Sequence, residues 1–311
     1  PAQAPPIPTH KTATDARGRP LATPAVRGLI KSHGLDISAL VGTGRDGRVT
    51  KEDVLLHVAS PPGGAREPPR AAPQEPAAGE RVEPVRGYMR TMIKTMQAQA
   101  QIPHMGLSDE YEVDEAVGLR AALLPAAQRE GVKLSHMPLI VKALSIALLD
   151  HPEVNARLSA DQSSVVYPSH HNVGIAIETE RGLVVPNIKG VEGLTLVEIA
   201  KEMERLVALA REQKLGGDDL KGGTVTVSNI GAIGGTYASP ILMPNESVII
   251  ALGAIAKLPR YDEGGNLVPR MVMKVSYSAD HRLLQGSVLA RFSNRVKELL
   301  QDPRLMLVHM R

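Results

Sequence analysis

The chain has 311 residues, 22% of them charged, and a formal net charge of +3, a length that allows an enzyme domain plus at least one smaller unit. Its longest nearly apolar run, residues 137–149, is shorter than the roughly 20 residues of a membrane-spanning helix. One Phe, six Tyr and no Trp offer few aromatic platforms for nucleic acid. The composition excludes a membrane span and argues against nucleic-acid binding.

The chain contains no cysteine. This excludes disulfides, thiolate nucleophiles and zinc-thiolate sites, so the catalytic candidates are His, Ser and carboxylates. The adjacent pair His170 and His171 is interpreted as structural, because neighbouring residues on a strand face opposite ways and no carboxylate cluster accompanies them. No metal site is predicted.

The first residues show no signal peptide, so any targeting peptide has been removed or lies outside this sequence. Residues 1–19 and 59–84 are rich in Pro and Ala, which predicts two extended linkers. Between residues 17 and 58, seven Lys and Arg stand against four acids. This basic balance is either a docking surface for an acidic partner or an ordinary solvated face.

Residues 20–58 have two helix starts, one at Thr23-Pro24 and one at Thr50, where Asp53 completes a capping box. The glycines of segment 42–47 have the spacing of a dinucleotide-binding loop. However, no strand precedes them, and a tight turn between short helices explains them better. We predict a small helical module built for contact with a partner.

Residues 85–311 alternate between helix and strand patterns and predict one α/β domain. The predicted helices are Ile140–Leu149, Leu194–Arg211 and Ser287–Leu300, and the predicted strands are Asn172–Ile177, Leu183–Ile188, Thr224–Val227, Ser247–Ile255 and Met271–Tyr277.

His281 stands at the end of the last predicted strand, between Asp280 and Arg282 and shortly before a glycine and a helix. Such a junction is typical of a rigidly held catalytic residue. His104 and His136 lie beside prolines without a recognisable partner and are interpreted as structural.

The Asp-His-Arg-x-x-x-Gly pattern of residues 280–286, with Thr-Val-Ser-Asn-Ile-Gly at 226–231, resembles the catalytic domain of dihydrolipoamide acyltransferases of 2-oxo acid dehydrogenase complexes. The likeness runs from about Gly87 to Arg311, and segments 21–27 and 41–48 resemble that family's peripheral subunit-binding domain. The resemblance implies an α/β, chloramphenicol acetyltransferase-like catalytic domain preceded by a small all-α binding domain.

The family mechanism implies that His281 takes the proton from the coenzyme A or dihydrolipoyl thiol, while the Ser228 hydroxyl donates to the oxyanion. In the family these residues meet across a subunit interface. The resemblance therefore implies trimers that assemble into a hollow cubic core, with the tail 305–311 joining them.

The same resemblance implies coenzyme A contacts at Arg120, Ser135, Glu178, Asn229 and Gly253. Glu178 replaces a shorter carboxylate of close relatives. The lipoyl group of this family is carried on a lysine that follows an aspartate, and the absence of that pair here predicts that the lipoyl domain lies outside this sequence.

Gln285 departs from the family pattern, which has an aspartate before the glycine. Glutamine accepts hydrogen bonds but forms no ion pair, so its support of His281 is expected to be weaker. We expect transfer to be reduced rather than lost.

Residues 228–237, 240–244 and 133–138 most resemble the branched-chain enzymes of the family. We hypothesise that Gly234 and Gly235 leave room for a branched acyl tail such as isobutyryl or isovaleryl. The alternatives are an acetyl- or succinyl-specific relative and a non-catalytic scaffold. A serine hydrolase is disfavoured, because no Gly-x-Ser-x-Gly segment surrounds Ser228.

The implied partners of the small module are the 2-oxo acid decarboxylase and dihydrolipoamide dehydrogenase. Arg27, Arg45 and Arg48 are the expected charged contacts. The implied compartment is the mitochondrial matrix in a eukaryote or the cytoplasm in a bacterium.

Overall fold

A computed structural model describes residues 14, 20–59, 79 and 81–309. The chain divides into two compact units between Val82 and Glu83. Most of the predicted linkers 1–19 and 59–84, and the last two residues of the predicted tail 305–311, lie outside the described residues.

The smaller unit contains helices α1 (Pro24–Ser32) and α2 (Lys51–Ala59), separated by two short 3-10 turns. The Thr23 hydroxyl accepts a hydrogen bond from the Val26 amide and caps α1, as predicted. Five buried side chains form the core of this unit: Val26, Ile30, Leu40, Val49 and Val54. So small a core leaves the unit dependent on polar contacts in its loop.

The loop before α2 is held by the Asp53 carboxylate. It accepts hydrogen bonds from the Thr43 amide at 3.0 Å, the Thr43 hydroxyl at 2.6 Å and the Thr50 amide at 2.8 Å. Burial by itself raises the pKa of Asp53, but these hydrogen bonds outweigh it, and the pKa is lowered from its usual value. The capping box predicted at Thr50 is therefore part of a larger loop clamp.

Replacing Asp53 with Asn is expected to destabilise the small unit by about 1.5–3 kcal/mol, the usual worth of hydrogen bonds to a charged group. Because the folded pKa is depressed, this stability is present above the unfolded pKa of about 3.9 and is lost as the pH falls through the folded value. Hydrogen exchange of the Thr43 and Thr50 amides in the full chain measures both effects. Glu52→Gln, an exposed neighbour, is the matched control, and equal protection in both variants would contradict the clamp.

The larger unit has six helices among the described residues. They are α3 (Gly87–Gln99), α4 (Asp114–Arg129), α5 (Met137–Asp150), α6 (Leu196–Arg211), α7 (Gly217–Leu220) and α8 (Gly286–Gln301). Its strands are β1 (His104–Glu112), β2 (Arg157–Leu158), β3 (Val165–Val166), β4 (Val173–Ile175), β5 (Ile177–Thr179), β6 (Gly182–Val184), β7 (Asn187–Ile188), β8 (Val225–Asn229), β9 (Val248–Tyr261) and β10 (Leu267–Asp280).

Six strands form one mixed sheet in the order β1-β10-β9-β8-β4-β7. Strands β4, β8 and β9 run parallel, and the other pairs are antiparallel. Helix α5 is buried from Met137 to Leu148, and α8 places an apolar stripe that includes Phe292 in the same core. The predicted α/β fold with a small all-α unit before it is confirmed.

Two predicted strands were wrong in detail. Residues 172–177 and 183–188 each form two short strands instead of one, and in the second the break falls at Pro186, which has no N–H for a sheet ladder. His170 and His171 lie outside any strand. Their environments nevertheless differ: His171 is buried against Ser145, and His170 is exposed beside Glu192.

Candidate active site

Ser228 lies near the carboxyl end of β8, where its backbone pairs with Ala251 of the parallel strand β9. The side chain is partly exposed. Strand β8 ends one residue later, and the chain turns into a 3-10 turn over Ile230–Ala232. A central sheet strand therefore fixes the backbone of the serine beside a tight loop.

His281 follows the last residue of β10 and is fixed at two atoms. Its amide donates to the Pro103 carbonyl at 2.9 Å, and its Nδ1 lies 2.9 Å from the Leu284 carbonyl. Because a carbonyl only accepts hydrogen bonds, Nδ1 must carry the proton. In the neutral ring, Nε2 then has a free lone pair, which is the form required of a general base.

Asp280 does not support the His281 ring. Its buried carboxylate accepts from the Arg282 guanidinium at 2.7 and 2.9 Å and from the Arg282 amide at 3.0 Å. This ion pair raises the pKa of Arg282 and closes the turn that carries His281. A Ser-His-Asp triad built on Asp280 is therefore excluded.

Gln285 is the N-cap residue of α8, but its side chain makes no capping hydrogen bond. It is exposed and forms no side-chain hydrogen bond within the described part of the chain. Within a single subunit, the Gln285 side chain thus makes no direct contact that would support the His281 ring.

Ser228 and His281 lie far apart within one chain. Ser228 pairs with Ala251, and Ala251 pairs with Ser276 of β10, five residues before His281. Two strand spacings across and five residues along amount to a separation on the order of 15–20 Å. One subunit by itself cannot bring the hydroxyl and the imidazole to the same carbonyl group.

Arg120 and Ser135 line one cleft of about 490 Å³. The Arg120 Nε donates to the Leu134 carbonyl at 3.0 Å, and the Ser135 hydroxyl accepts from the Met137 amide at 3.3 Å. Helix α6 supplies the apolar wall with Met203 and Val207. Lys133 and Arg211 add positive charge to the lining and outnumber its one acid, Glu204, so the cleft suits a ligand with both apolar and anionic parts.

The remaining predicted contacts lie near the end of β8. Asn229 pairs with Leu252, next to Gly253. A Cβ atom at Gly253 would stand 2.3 Å from the Thr236 carbonyl oxygen, so only glycine fits. Glu178 is exposed on β5, a strand brought beside β8 by the 3.0 Å hydrogen bond from the Ala176 amide to the Val227 carbonyl.

Gly234 and Gly235 have φ angles of +148° and +101°. Residues other than glycine rarely adopt these backbone conformations. A bulky substitution there would strain the backbone as well as fill space, so it cannot by itself test the acyl pocket.

His104 and His136 have different environments. His104 bridges two segments, with Nδ1 2.8 Å from the Ile102 carbonyl and Nε2 accepting from the Leu242 amide at 3.1 Å. The Nε2 of His136 is buried without a partner in the described residues, and burial and the nearby Arg120 lower its pKa. Both histidines are consistent with structural roles.

In the smaller unit, Arg45 and Arg48 are exposed. Arg27 is partly buried, and its guanidinium donates to the Pro20 carbonyl at 2.9 Å. Two of the three expected contact residues thus present free surface, whereas Arg27 also holds the start of the unit.

Across the described ranges, no three His, Cys, Asp or Glu residues cluster as metal ligands would. Nor does any described helix combine the length and apolarity needed to cross a membrane.

The sheet, the fixed imidazole and the small helical unit together define an α/β catalytic domain that follows an all-α binding domain. The family model for the 2-oxoacid dehydrogenases acyltransferase catalytic domain matches residues 77–308. The e3 binding domain matches residues 20–55. The chain belongs to the 2-oxoacid dehydrogenase acyltransferase family.

Two relatives illustrate the range of the family. The lipoamide acyltransferase component of the mitochondrial branched-chain alpha-keto acid dehydrogenase complex of Mus musculus is 42% identical over 94% of this chain and 64% of its own length. The dihydrolipoyllysine-residue acetyltransferase component of the Bacillus subtilis pyruvate dehydrogenase complex is 34% identical over 94% of this chain and 69% of its own. The chain thus spans just under two thirds of the mouse relative.

Two solved structures share the fold. The Azotobacter vinelandii dihydrolipoamide acetyltransferase has a TM-score of 0.72 at 30% identity, and a cubic core of the pyruvate dehydrogenase complex has 0.71 at 30%. Each alignment covers 76% of this chain and 99% of the other. The Azotobacter vinelandii structure was solved to examine the catalytic roles of a serine, a histidine and an asparagine, the last of which lies four positions after the histidine. Gln285 has the same spacing from His281 and also carries an amide.

Proposed function

We propose that the protein transfers an acyl group between a dihydrolipoyl thioester and coenzyme A, as part of the core of a 2-oxo acid dehydrogenase complex. The observation that carries the proposal is the His281 ring, whose Nδ1 is committed to the Leu284 carbonyl and whose Nε2 is free to accept a proton. A thiol with a pKa near 8.5 is mostly protonated at neutral pH. Transfer between thioesters therefore needs such a base.

In the proposed reaction, His281 Nε2 takes the proton of the incoming thiol, and the thiolate attacks the thioester carbonyl. Ser228 of an adjoining subunit donates its hydroxyl proton in a hydrogen bond to the oxygen as negative charge develops. The carbon–sulfur bond to the leaving thiolate then breaks, and the imidazolium returns the proton to that sulfur. The separation of Ser228 and His281 within one chain supports a site shared between subunits of a trimer, which would be the unit of a cubic core.

The cleft at Arg120 and Ser135 fits coenzyme A by its chemistry. Its apolar wall suits the pantetheine arm, and Arg120, Lys133 and Arg211 suit the nucleotide phosphates. Asn229, Gly253 and Glu178 lie close to Ser228 along the chain or across strands and would contact the thiol end. The lipoyl group would be delivered by a domain outside this sequence.

We propose a branched acyl group as substrate. The description of the Mus musculus relative as a branched-chain component supports this. Of the two glycines expected to leave room for the acyl tail, Gly234 has no heavy atom within 4 Å of an added Cβ, whereas a Cβ at Gly235 would lie 3.3 Å from Ile230 Cδ1. An acetyl-specific enzyme is the alternative, because the Bacillus subtilis relative is an acetyltransferase component.

An acyl-transfer assay from isobutyryl-, acetyl- and succinyl-coenzyme A to free dihydrolipoamide tests the class and the substrate together. We expect isobutyryl transfer to exceed acetyl transfer in kcat/KM by roughly tenfold or more. A preference for acetyl or succinyl would refute the branched-chain substrate but not the reaction. No transfer from any donor would instead favour the non-catalytic scaffold.

Replacing Gln285 with Asp is expected to raise turnover by roughly two- to tenfold, because a carboxylate four residues after His281 stabilises the imidazolium through space by its charge, which the neutral amide does not. Aspartate would also cap α8, so stability must be separated from catalysis. Gln285→Asn caps the helix without adding charge and is the matched control. If the two variants have the same turnover, the position does not act through charge.

The small unit is proposed to bind dihydrolipoamide dehydrogenase or the 2-oxo acid decarboxylase through Arg45, Arg48 and Arg27, since its residues match an e3 binding domain. The mitochondrial relative supports a mitochondrial location, with a bacterial cytoplasm as the alternative.

A further inference from the structure

Glu246 is a buried carboxylic acid that the proposed reaction does not use. It precedes Ser247, whose carbonyl accepts from the Asp280 amide at 2.9 Å, one residue before His281. Its side chain lines a cavity of about 740 Å³. Its Oε2 atom is buried and has no hydrogen-bond partner in the described residues.

Two further buried oxygens nearby also lack partners, namely Thr226 Oγ1 and Asn187 Oδ1. The orientation of the Asn187 amide is fixed, because its Nδ2 donates to the carbonyls of Asp219 at 3.0 Å and Lys221 at 3.2 Å. Its Oδ1 therefore cannot exchange places with the nitrogen. A buried oxygen without a donor costs about 1–3 kcal/mol in general, so three together require an explanation.

Two glycines lie against these three groups. A Cβ at Gly223 would lie 2.7 Å from Glu246 Oε1 and 3.8 Å from Asn187 Cγ. A Cβ at Gly174 would lie 2.5 Å from Thr226 Oγ1. A side chain at either position would displace one of these groups, so the two glycines leave room beside the carboxyl, the amide and the hydroxyl oxygen.

We propose that this space, the Glu246 site, binds a dehydrated monovalent metal cation such as K⁺ or Na⁺ through Glu246, Asn187 and Thr226. All three orphan atoms can serve as oxygen ligands for a hard cation. One carboxylate and one monovalent ion form a neutral buried pair, whereas a divalent ion would leave an uncompensated charge. The described residues supply no cluster of acidic or histidine ligands that would favour a divalent metal.

Without a cation, the carboxyl is expected to hold a proton instead. Burial raises the pKa of Glu246 to about 8, and the Thr226 hydroxyl partly opposes the shift, although the two groups form no hydrogen bond of ordinary geometry. The other charged or titratable groups lining the cavity are Arg157, His170 and Lys221, and Asp280 and Arg282 line a second cavity that Glu246 also borders. Proton and cation therefore compete for the Glu246 site, and cation binding strengthens as the pH rises through about 8.

The test is thermal unfolding of the full chain at constant ionic strength in KCl, NaCl or choline chloride, at pH 6 and pH 8.5. We expect KCl or NaCl to raise the unfolding midpoint over choline by roughly 2–4 °C at pH 8.5, with a smaller shift at pH 6. Glu246→Gln should abolish the difference between salts, and Glu263→Gln, an exposed carboxylate on the β9–β10 turn, should retain it.

A crystal soaked in rubidium or thallium(I) gives a readout that does not depend on a variant. An anomalous peak within about 3 Å of the Glu246 carboxylate supports the site. Equal midpoints in all three salts, or no peak there because only water fills the space, would overturn the proposal. Neither result depends on acyl transfer, so this proposal and the proposed function can fail independently.

Discussion

Replacing His281 with alanine is expected to lower the turnover of acyl transfer by roughly 10²- to 10⁴-fold, the usual contribution of a positioned general base. The expectation follows from the 2.9 Å contact between Nδ1 and the Leu284 carbonyl, which leaves Nε2 as the basic atom. The loss should fall on kcat, because the coenzyme A cleft at Arg120 does not include His281.

The pH dependence of the variant separates a base from a structural role. If His281 supplies only proton removal, the alanine variant should gain about tenfold in rate per pH unit as the pH approaches the thiol pKa of about 8.5. His281→Asn is the matched control, since its amide nitrogen can still donate to the Leu284 carbonyl but offers no base. Turnover within threefold of the parent chain, or no recovery at high pH, would contradict the assigned role.

Much of the larger unit was predictable from hydrophobic periodicity. The buried run of α5, the amphipathic pattern of α6 and the β-branched strands β8 to β10 all carry strong local signals. The segment before α5, which forms β1 and α4, carries no such local signal. Strand β1 lies at the edge of the sheet, so Tyr111 is its only fully buried residue and the strand lacks a clear apolar pattern. Helix α4 contains Pro125, a residue that argues against a helix interior.

The candidate site was predictable only in part. Ser228 and His281 stood out by a motif, but the wall of the cleft did not, because it forms where α6 packs near residues 133–138, far away in sequence. Glu246 follows Pro244 and Asn245, which read as an exposed turn. Its burial arises from contacts with β8 and the Gly223 backbone, and no local pattern encodes it.

Two inactive variants should restore activity when they assemble together. Ser228→Ala retains the base and is expected to lose roughly 10²- to 10³-fold, as loss of an oxyanion donor does, whereas His281→Ala retains the hydroxyl. Because strand geometry separates the two residues by roughly 15–20 Å within one chain, each site would take one residue from each of two neighbouring subunits. A trimer that contains both variants then has both residues at one of its three sites, whichever variant is present twice.

Co-expression with two affinity tags and sequential purification isolates the mixed assemblies, and their turnover is compared with that of each variant alone. The matched control pairs Ser228→Ala with the double variant that also lacks His281, a mixture in which no site contains both residues. If mixed trimers form normally yet show only the sum of the single-variant rates, the hydroxyl and the imidazole do not act in one shared site. Restoration towards a third of the parent rate in the purified mixed trimers requires a thiol channel between subunits, because neither chain alone can bring the hydroxyl and the imidazole to the same carbonyl.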